Sequence, residues 1–214
     1  MGNISFVWLG EVIPPHFIEN YKTCCKVNPH YTTRIFRDEQ IEHLAKVYGV
    51  DMVYHNLNLV NRCNLAKYLV LHYYPGVYSD LDIVWKRNVD ELISQPVNRF
   101  YNQSFWPNYN QVHAEPEFIS CVRPYTHIYN GEKVYIFDDH LIYATSIAMA
   151  KVIDYSKEKW MSQQYDHSIN FEPFGPVSIT ELIYDKKMNA NMWYDVQCQA
   201  IGQFCDHLST RMWE

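Results

Sequence analysis

The chain has 214 residues, 48% of them hydrophobic, enough for one domain with a substantial core. A net charge of −6 gives no basic field for nucleic acid, so any phosphate ligand must be met locally, by a metal or a few cations. No apolar run approaches the roughly 18 residues of a spanning helix, and the N-terminus lacks a basic stretch leading into an apolar one, so neither a transmembrane segment nor secretion is expected. Met1-Gly2 opens like a myristoylation signal, but Phe6 stands where Ser or Thr belongs. The sequons Asn3-Ile4-Ser5 and Asn102-Gln103-Ser104 carry meaning only in a secreted chain. Cys24, Cys25, Cys63, Cys121, Cys198 and Cys205 show no CxxC spacing, which reads as reduced, mostly buried thiols and no zinc site. Aromatic residues make up 16% of the chain, a supply that serves a packed core and a sugar-binding cleft equally well.

In chain order, the apolar run Ile4 to Leu9, closed by Gly10, predicts a buried strand. Pro14-Pro15 fits the first turn of a helix running to about Val27, stopped by Asn28-Pro29. Tyr31 to Phe36 predicts a second strand, followed by a helix from Asp38, as N-cap, to Tyr48. This β-α-β-α opening favours a mainly parallel sheet flanked by helices, with ligands beyond the carboxyl ends of the strands. Leu57 to Tyr74 predicts a long helix with Asn64 and Lys67 on one face, ended by Pro75-Gly76. The segment from about Tyr101 to Tyr135, rich in Asn, Gln, Pro and Tyr, reads as an acceptor-facing elaboration with a short strand at Phe118 to Val122. A strand at Leu141 to Ala144, a helix from Ile147 to Trp160 and a short helix at Val177 to Tyr184 opened by Gly175-Pro176 complete the outline.

The chemistry concentrates at Asp80-Leu81-Asp82, read as part of one strand running from Val77 to Trp85 at an edge of the sheet. In an extended strand the two aspartates project together while Leu81 faces the core. Paired carboxylates suit Mg2+ or Mn2+, which takes oxygen ligands and keeps positions open for substrate phosphates. A solvated strand end with two acidic residues has the same sequence, so the rest of the chain must decide.

Four stretches in order resemble the DXD-type sugar transferases, which include fungal outer-chain mannosyltransferases and glucosylating bacterial toxins. They are Phe6-Val7-Trp8-Leu9-Gly10 with Pro14 and Asn28-Pro29; Asn64, Lys67, Tyr68, Pro75-Gly76 and Tyr78 leading to Asp80-Leu81-Asp82; Gly175-Pro176 with Thr180; and His207 followed by Trp213. The resemblance implies a GT-A type α/β domain that moves a sugar from a UDP-sugar to a hydroxyl of a glycan or glycoprotein acceptor, with retention of configuration, using Mn2+ or Mg2+. It implies that Trp8 stacks on uracil, where the residue alone would equally be a core tryptophan, that Leu9 is donor-binding, that Asp80 faces the ribose and sugar, and that Asp80, Asp82 and His207 serve the metal. Trp213 resembles the tryptophan of a C-terminal lid over the diphosphate. Asp138 and Asp139 are candidates for contacting the sugar or steadying an oxocarbenium-like transition state; capping a turn is an equal alternative for Asp139.

Departures from the family pattern carry information too. The family has Asp and Arg gripping donor hydroxyls where this chain has Asn64 and Lys67, which the resemblance makes donor-binding, and lysine gives up the bidentate fork of arginine. The resemblance then implies a re-tuned sugar pocket and a donor other than plain glucose, such as a 6-deoxyhexose. Pro75-Gly76 replaces Gly-Gly, and Met212 replaces the Ser before the final Trp.

Asp80-Leu81-Asp82-Ile83-Val84 also resembles the first motif of haloacid-dehalogenase-type phosphohydrolases, with Lys133 and Asp138-Asp139 as the later lysine and acidic pair. That reading leaves Trp8, Gly175-Pro176 and His207 unexplained. A carbohydrate-binding module with a structural cation is a non-enzymatic alternative. The chain is also similar to the N-terminal transferase domain of a large chlorella-virus protein whose relatives glycosylate capsid protein. On that resemblance residues 1–214 form a single glycosyltransferase domain of a longer multidomain protein, working in host cytoplasm.

Overall fold

The computed structural model describes residues 2–93, 116–164, 172–185, 187–192 and 205–207. The opening follows the expected alternation: strand β1 (Asn3–Val7), helix α1 (Pro15–Val27), strand β2 (Thr32–Phe36) and helix α2 (Asp38–Tyr48). Pro15 occupies the first helical turn of α1, where its missing N–H costs nothing. Asp38 was expected as the cap of α2, but Arg37 is the capping residue. Its N–H is received by the Gln40 side chain at 3.0 Å, while the Asp38 carboxylate accepts the Gly10 N–H at 2.8 Å. Gly49 closes α2 in the left-handed conformation, at φ 83°, which glycine adopts without strain.

A short helix α3 (Asp51–Asn56), which the sequence reading did not include, precedes α4 (Leu59–Tyr73), the long helix expected over Leu57 to Tyr74. Asn58 separates them because its side chain accepts the Asn61 N–H and so starts α4. Residues Leu65 to Leu71 are buried without a break, so α4 is covered on every side. Strand β3 (Gly76–Ser79) then runs beside β1. Gly76 has φ 142°, and a Cβ there would stand 2.6 Å from the Asn3 carbonyl oxygen, so the residue after Pro75 is confined to glycine.

Beyond β3 come β4 (Ile83–Trp85), α5 (Val89–Ile93), β5 (Phe118–Tyr129), β6 (Glu132–Ala144), α6 (Ser146–Ser162), α7 (Pro176–Tyr184), β7 (Ala190–Met192) and β8 (Cys205–His207). The main sheet has the order β2-β1-β3-β6-β5-β7. β6 runs against its neighbours while the other strands share one direction, as expected for a mainly parallel sheet. The expected strands at Phe118 to Val122 and Leu141 to Ala144 are parts of a long β5–β6 hairpin, turned by Asn130-Gly131. Asp138 and Asp139 therefore lie within β6 and cap no turn.

Apolar residues fill both faces of the sheet. One core gathers Leu65, Leu69, Phe118, Phe137, Met149 and Ile179 from α4, α6, α7 and the sheet; the other gathers Phe6, Phe17, Leu81, Ile83, Trp85 and Leu92. Cys24, Cys25, Cys63 and Cys205 are free thiols, two buried and two half-buried. Burial pushes the Cys63 thiol up to about 11. Among the described residues no helix is long and apolar enough to cross a membrane.

Candidate donor and metal site

Asp80-Leu81-Asp82 does not lie within one strand. It forms a turn between β3 of the main sheet and β4, which pairs with β8 in a separate two-stranded sheet. The Ile83 N–H returns to the Asp80 carbonyl at 3.2 Å, and the buried Asn20 of α1 donates to the Leu81 carbonyl at 2.8 Å. Leu81 is buried as expected, but the turn and not strand alternation puts it there. The aspartates sit beyond the carboxyl end of β3, a central strand flanked by β1 and β6.

Across from this turn, β6 supplies Asp138, Asp139 and His140. The backbone links the two, with the Asp80 N–H donating to the His140 carbonyl at 2.8 Å. Asp80 is held from several sides. Tyr78 Oη donates to its Oδ1 at 2.6 Å, Lys67 Nζ stands 3.4 Å from Oδ1, and His140 Nδ1 lies 3.0 Å from Oδ2. Burial alone would raise the Asp80 pKa. The Lys67 ammonium, with His140 and Tyr78, outweighs burial and holds the carboxyl well below the usual carboxylate range. Lys67 is in the converse position: burial would lower its pKa, but the carboxylates of Asp139, at 3.7 Å, and Asp80 hold it above the ordinary lysine value. Burial, and then the charge of Asp80, drives the Tyr78 phenol up, which keeps it a hydrogen-bond donor.

Asn64 and Lys67 were expected to grip donor hydroxyls, and in this structure both heads point inward. Asn64 Nδ2 donates to the Phe174 carbonyl at 2.8 Å, while Asn61, one turn earlier, accepts the Phe174 N–H at 3.0 Å. This clamp fixes the segment that leads through Gly175-Pro176 into α7. There Thr180 Oγ1 accepts the Phe137 N–H at 2.9 Å, tying α7 to the strand that carries Asp138. Trp8 is half-buried beyond the carboxyl end of β1, its ring 5.5 Å from that of Phe17, and its buried indole N–H meets no hydrogen-bond acceptor among the described residues. Leu9 packs on the opposite core. The backbone of His207 pairs with Ile83, one residue after Asp82. The His207 side chain lies outside the described residues, as do Trp213 and residues 101–115 of the expected acceptor-facing segment.

Sequence reasoning passed over His140 and Asn20, and it quoted Tyr78 as part of the family pattern without giving it a role. The signal for His140 was present, because Asp138-Asp139-His140 interrupts an otherwise apolar strand between Phe137 and Leu141. Asp138, Asp139 and His140 form a group whose ligand atoms lie within 4.8 Å of one another, close enough to share a cation.

Residues 14–98 match the family described as "Glycosyltransferase sugar-binding region containing DXD motif". Over this segment, about two fifths of the chain, the sequence is similar to that family. It is 28% identical over 96 residues to inositol phosphoceramide mannosyltransferase 3 of Schizosaccharomyces pombe, covering 44% of this chain and 27% of the relative. It is 29% identical over 89 residues to mannosyl phosphorylinositol ceramide synthase SUR1 of Saccharomyces cerevisiae, covering 40% of this chain and 23% of the relative. The matches thus span about a quarter of these relatives. Among solved structures, PaToxG glycosyltransferase superposes with a TM-score of 0.55 at 15% identity, covering 86% of this chain and 69% of that one. The fold is that of the GT-A glycosyltransferases, as the sequence resemblance implied.

Proposed function

We propose that the chain is a metal-dependent glycosyltransferase that moves a sugar from a UDP-sugar to a hydroxyl of a glycan or glycoprotein acceptor, with retention of configuration. The observation that carries this reading is the charge balance at the family's DXD turn. Asp80 and Asp139 share a single lysine there, Asp138 stands beside His140, and Asp82 lies two residues on in the same turn. The donor set is hard and oxygen-rich, and the buried Asp139 Oδ2 accepts no hydrogen bond among the described residues, so the residues fit Mn2+ or Mg2+. Asp82 is the direct ligand in this reading. His207 joins it, supported by the backbone pairing that carries it to Ile83. A divalent cation bound there supplies charge stabilisation for the departing diphosphate.

The chain's own residues do the rest. Trp8 offers a half-buried ring face and an indole N–H beyond the end of β1, suited to stacking on and bonding a base. Asp80, fixed in orientation, receives ribose or sugar hydroxyls. Asp138 and Asp139 face the sugar from β6 and offset positive charge at its anomeric carbon. A front-face reaction needs no strong protein base, since the leaving phosphate takes the acceptor's proton. Because Asn64 and Lys67 spend their polar heads on Phe174 and the carboxylates, the pocket grips sugar hydroxyls weakly, which favours a donor such as a 6-deoxyhexose.

Thermal unfolding with UDP, GDP, Mn2+ and Mg2+ tests the reading, since a ligand that binds only the native state raises Tm by mass action. UDP with Mn2+ should raise Tm more than either alone, and the protein should hydrolyse UDP-sugars slowly without acceptor. Release of phosphate from an aryl phosphate with no response to nucleotide would replace the transferase with a phosphohydrolase. Turnover of UDP-glucose alone within a donor panel would sink the 6-deoxyhexose assignment.

A further inference from the structure

His140 has no task in the transfer scheme, yet it is tied to the DXD turn twice. Its carbonyl receives the Asp80 N–H, and its imidazole Nδ1 lies 3.0 Å from Asp80 Oδ2. An ionised carboxylate only accepts, so Nδ1 carries the proton and donates. On the far side of the ring Nε2 faces Asp138 Oδ1 at 3.4 Å, and Asp139 Oδ1 lies 3.8 Å from Nδ1. Asp138 is itself anchored, because its Oδ1 accepts the backbone N–H groups of Asp139 at 2.7 Å and His140 at 3.2 Å. The main chain of His140 is thus held on both sides, its N–H by Asp138 and its carbonyl by the Asp80 N–H, and its imidazole is delivered to Asp80 from that fixed stretch of β6. With Tyr78 on the opposite oxygen, both oxygens of Asp80 are held by the protein.

We infer that His140 is a positioning residue for the DXD turn: its imidazole, carried on a stretch of β6 whose backbone Asp138 anchors, locks the Asp80 carboxylate and so fixes the turn that presents Asp82 to a metal-bound nucleotide diphosphate. This rests on the transferase reading of the turn. An outer group of this kind, which orients a ligand without touching the cation, carries an effect on metal affinity of its own.

The test uses two readouts. In metal-free protein, 15N-imidazole NMR should show the His140 Nδ1 proton in a hydrogen bond that Asp80→Asn alters; a ring protonated on Nε2 alone would overturn the inference. Binding of Mn2+ in the presence of UDP, followed by the EPR signal of free Mn2+, should weaken on the order of tenfold to a hundredfold in His140→Phe. His140→Asn, whose amide N–H falls where Nδ1–H stands, should restore most of that loss, and His140→Gln should not. If His140→Phe fails to fold, the Asn and Gln pair carries the comparison. Equal Mn2+–UDP affinity in all folded variants would reduce His140 to a structural residue. Wild-type protein that binds no Mn2+–UDP would remove the donor reading, and the inference with it, whatever the NMR shows.

Discussion

Two buried lysines in this molecule face carboxylates and differ in how completely they satisfy them. Lys159 of α6 sits 2.8 Å from Glu181 of α7, and Tyr155 donates to the same carboxylate oxygen at 2.9 Å. One cation, one anion and a hydroxyl close on each other at hydrogen-bond lengths. Lys67 of α4 stands 3.4 Å from Asp80 and 3.7 Å from Asp139, and Asp138 follows beside them on β6. One cation is spread over several carboxylates and reaches none of them at close range. The first arrangement is complete within the protein, whereas the second keeps surplus negative charge beyond the carboxyl ends of the strands, where such sheets bind ligands.

The comparison breaks most visibly if each lysine is made neutral. Lys159→Met and Lys67→Met should each cost about 3–5 kcal/mol in urea unfolding, the scale of leaving a buried charge alone. Saturating Mn2+ should recover much of the Lys67→Met loss, because a cation can take the place of the ammonium, and none of the Lys159→Met loss. Equal recovery in both would erase the distinction. Next in size, Asp82→Ala should lower sugar transfer at least on the order of a hundredfold, about 2.7 kcal/mol of barrier, and abolish its response to metal. An active, metal-stimulated Asp82→Ala protein would refute the ligand assignment. Substituting Asp139 should slow transfer but leave metal dependence in place.

The smallest effect is confined to acid. Because the Asp80 carboxyl titrates below its unfolded value of about 3.9, its contribution is fully present above about pH 4 and is lost as pH falls toward the folded value. The stability gap between wild type and Asp80→Asn should be flat from pH 5 to 7 and narrow in acid; a gap that widens on acidification would reverse the sign. Lys67, shifted upward, contributes fully below about pH 10 and loses its effect only as alkali strips its proton.

Local signals carried much of the fold. Pro15 at the start of α1, the Pro75-Gly76 stop and the apolar runs of β1 and β2 are decided by neighbours in sequence, and they stand where the sequence put them. The DXD turn was misread because alternation within a strand is invisible to which sheet each half joins: β3 pairs with β1 and β6, while β4 pairs with β8, more than a hundred residues later. Asp80 and Asp82 were legible as a pair from spacing and from the family resemblance. The Lys67 and His140 contacts were not, since they exist only once α4 and β6 meet across the sheet. Asn64 was read as a ligand-facing amide because nothing local reveals that the Phe174 backbone arrives to occupy it.

The pairing of β4 with β8 also has a temporal meaning. Residues 14–98 hold both aspartates, but the strand that follows Asp82 acquires its partner only when Cys205–His207 has been made. A ribosome-bound chain stopped before that point carries the motif without its finished surroundings. Site assembly is therefore expected to wait for that strand, so that closing a long loop secures the DXD turn after the first sheet strands have paired.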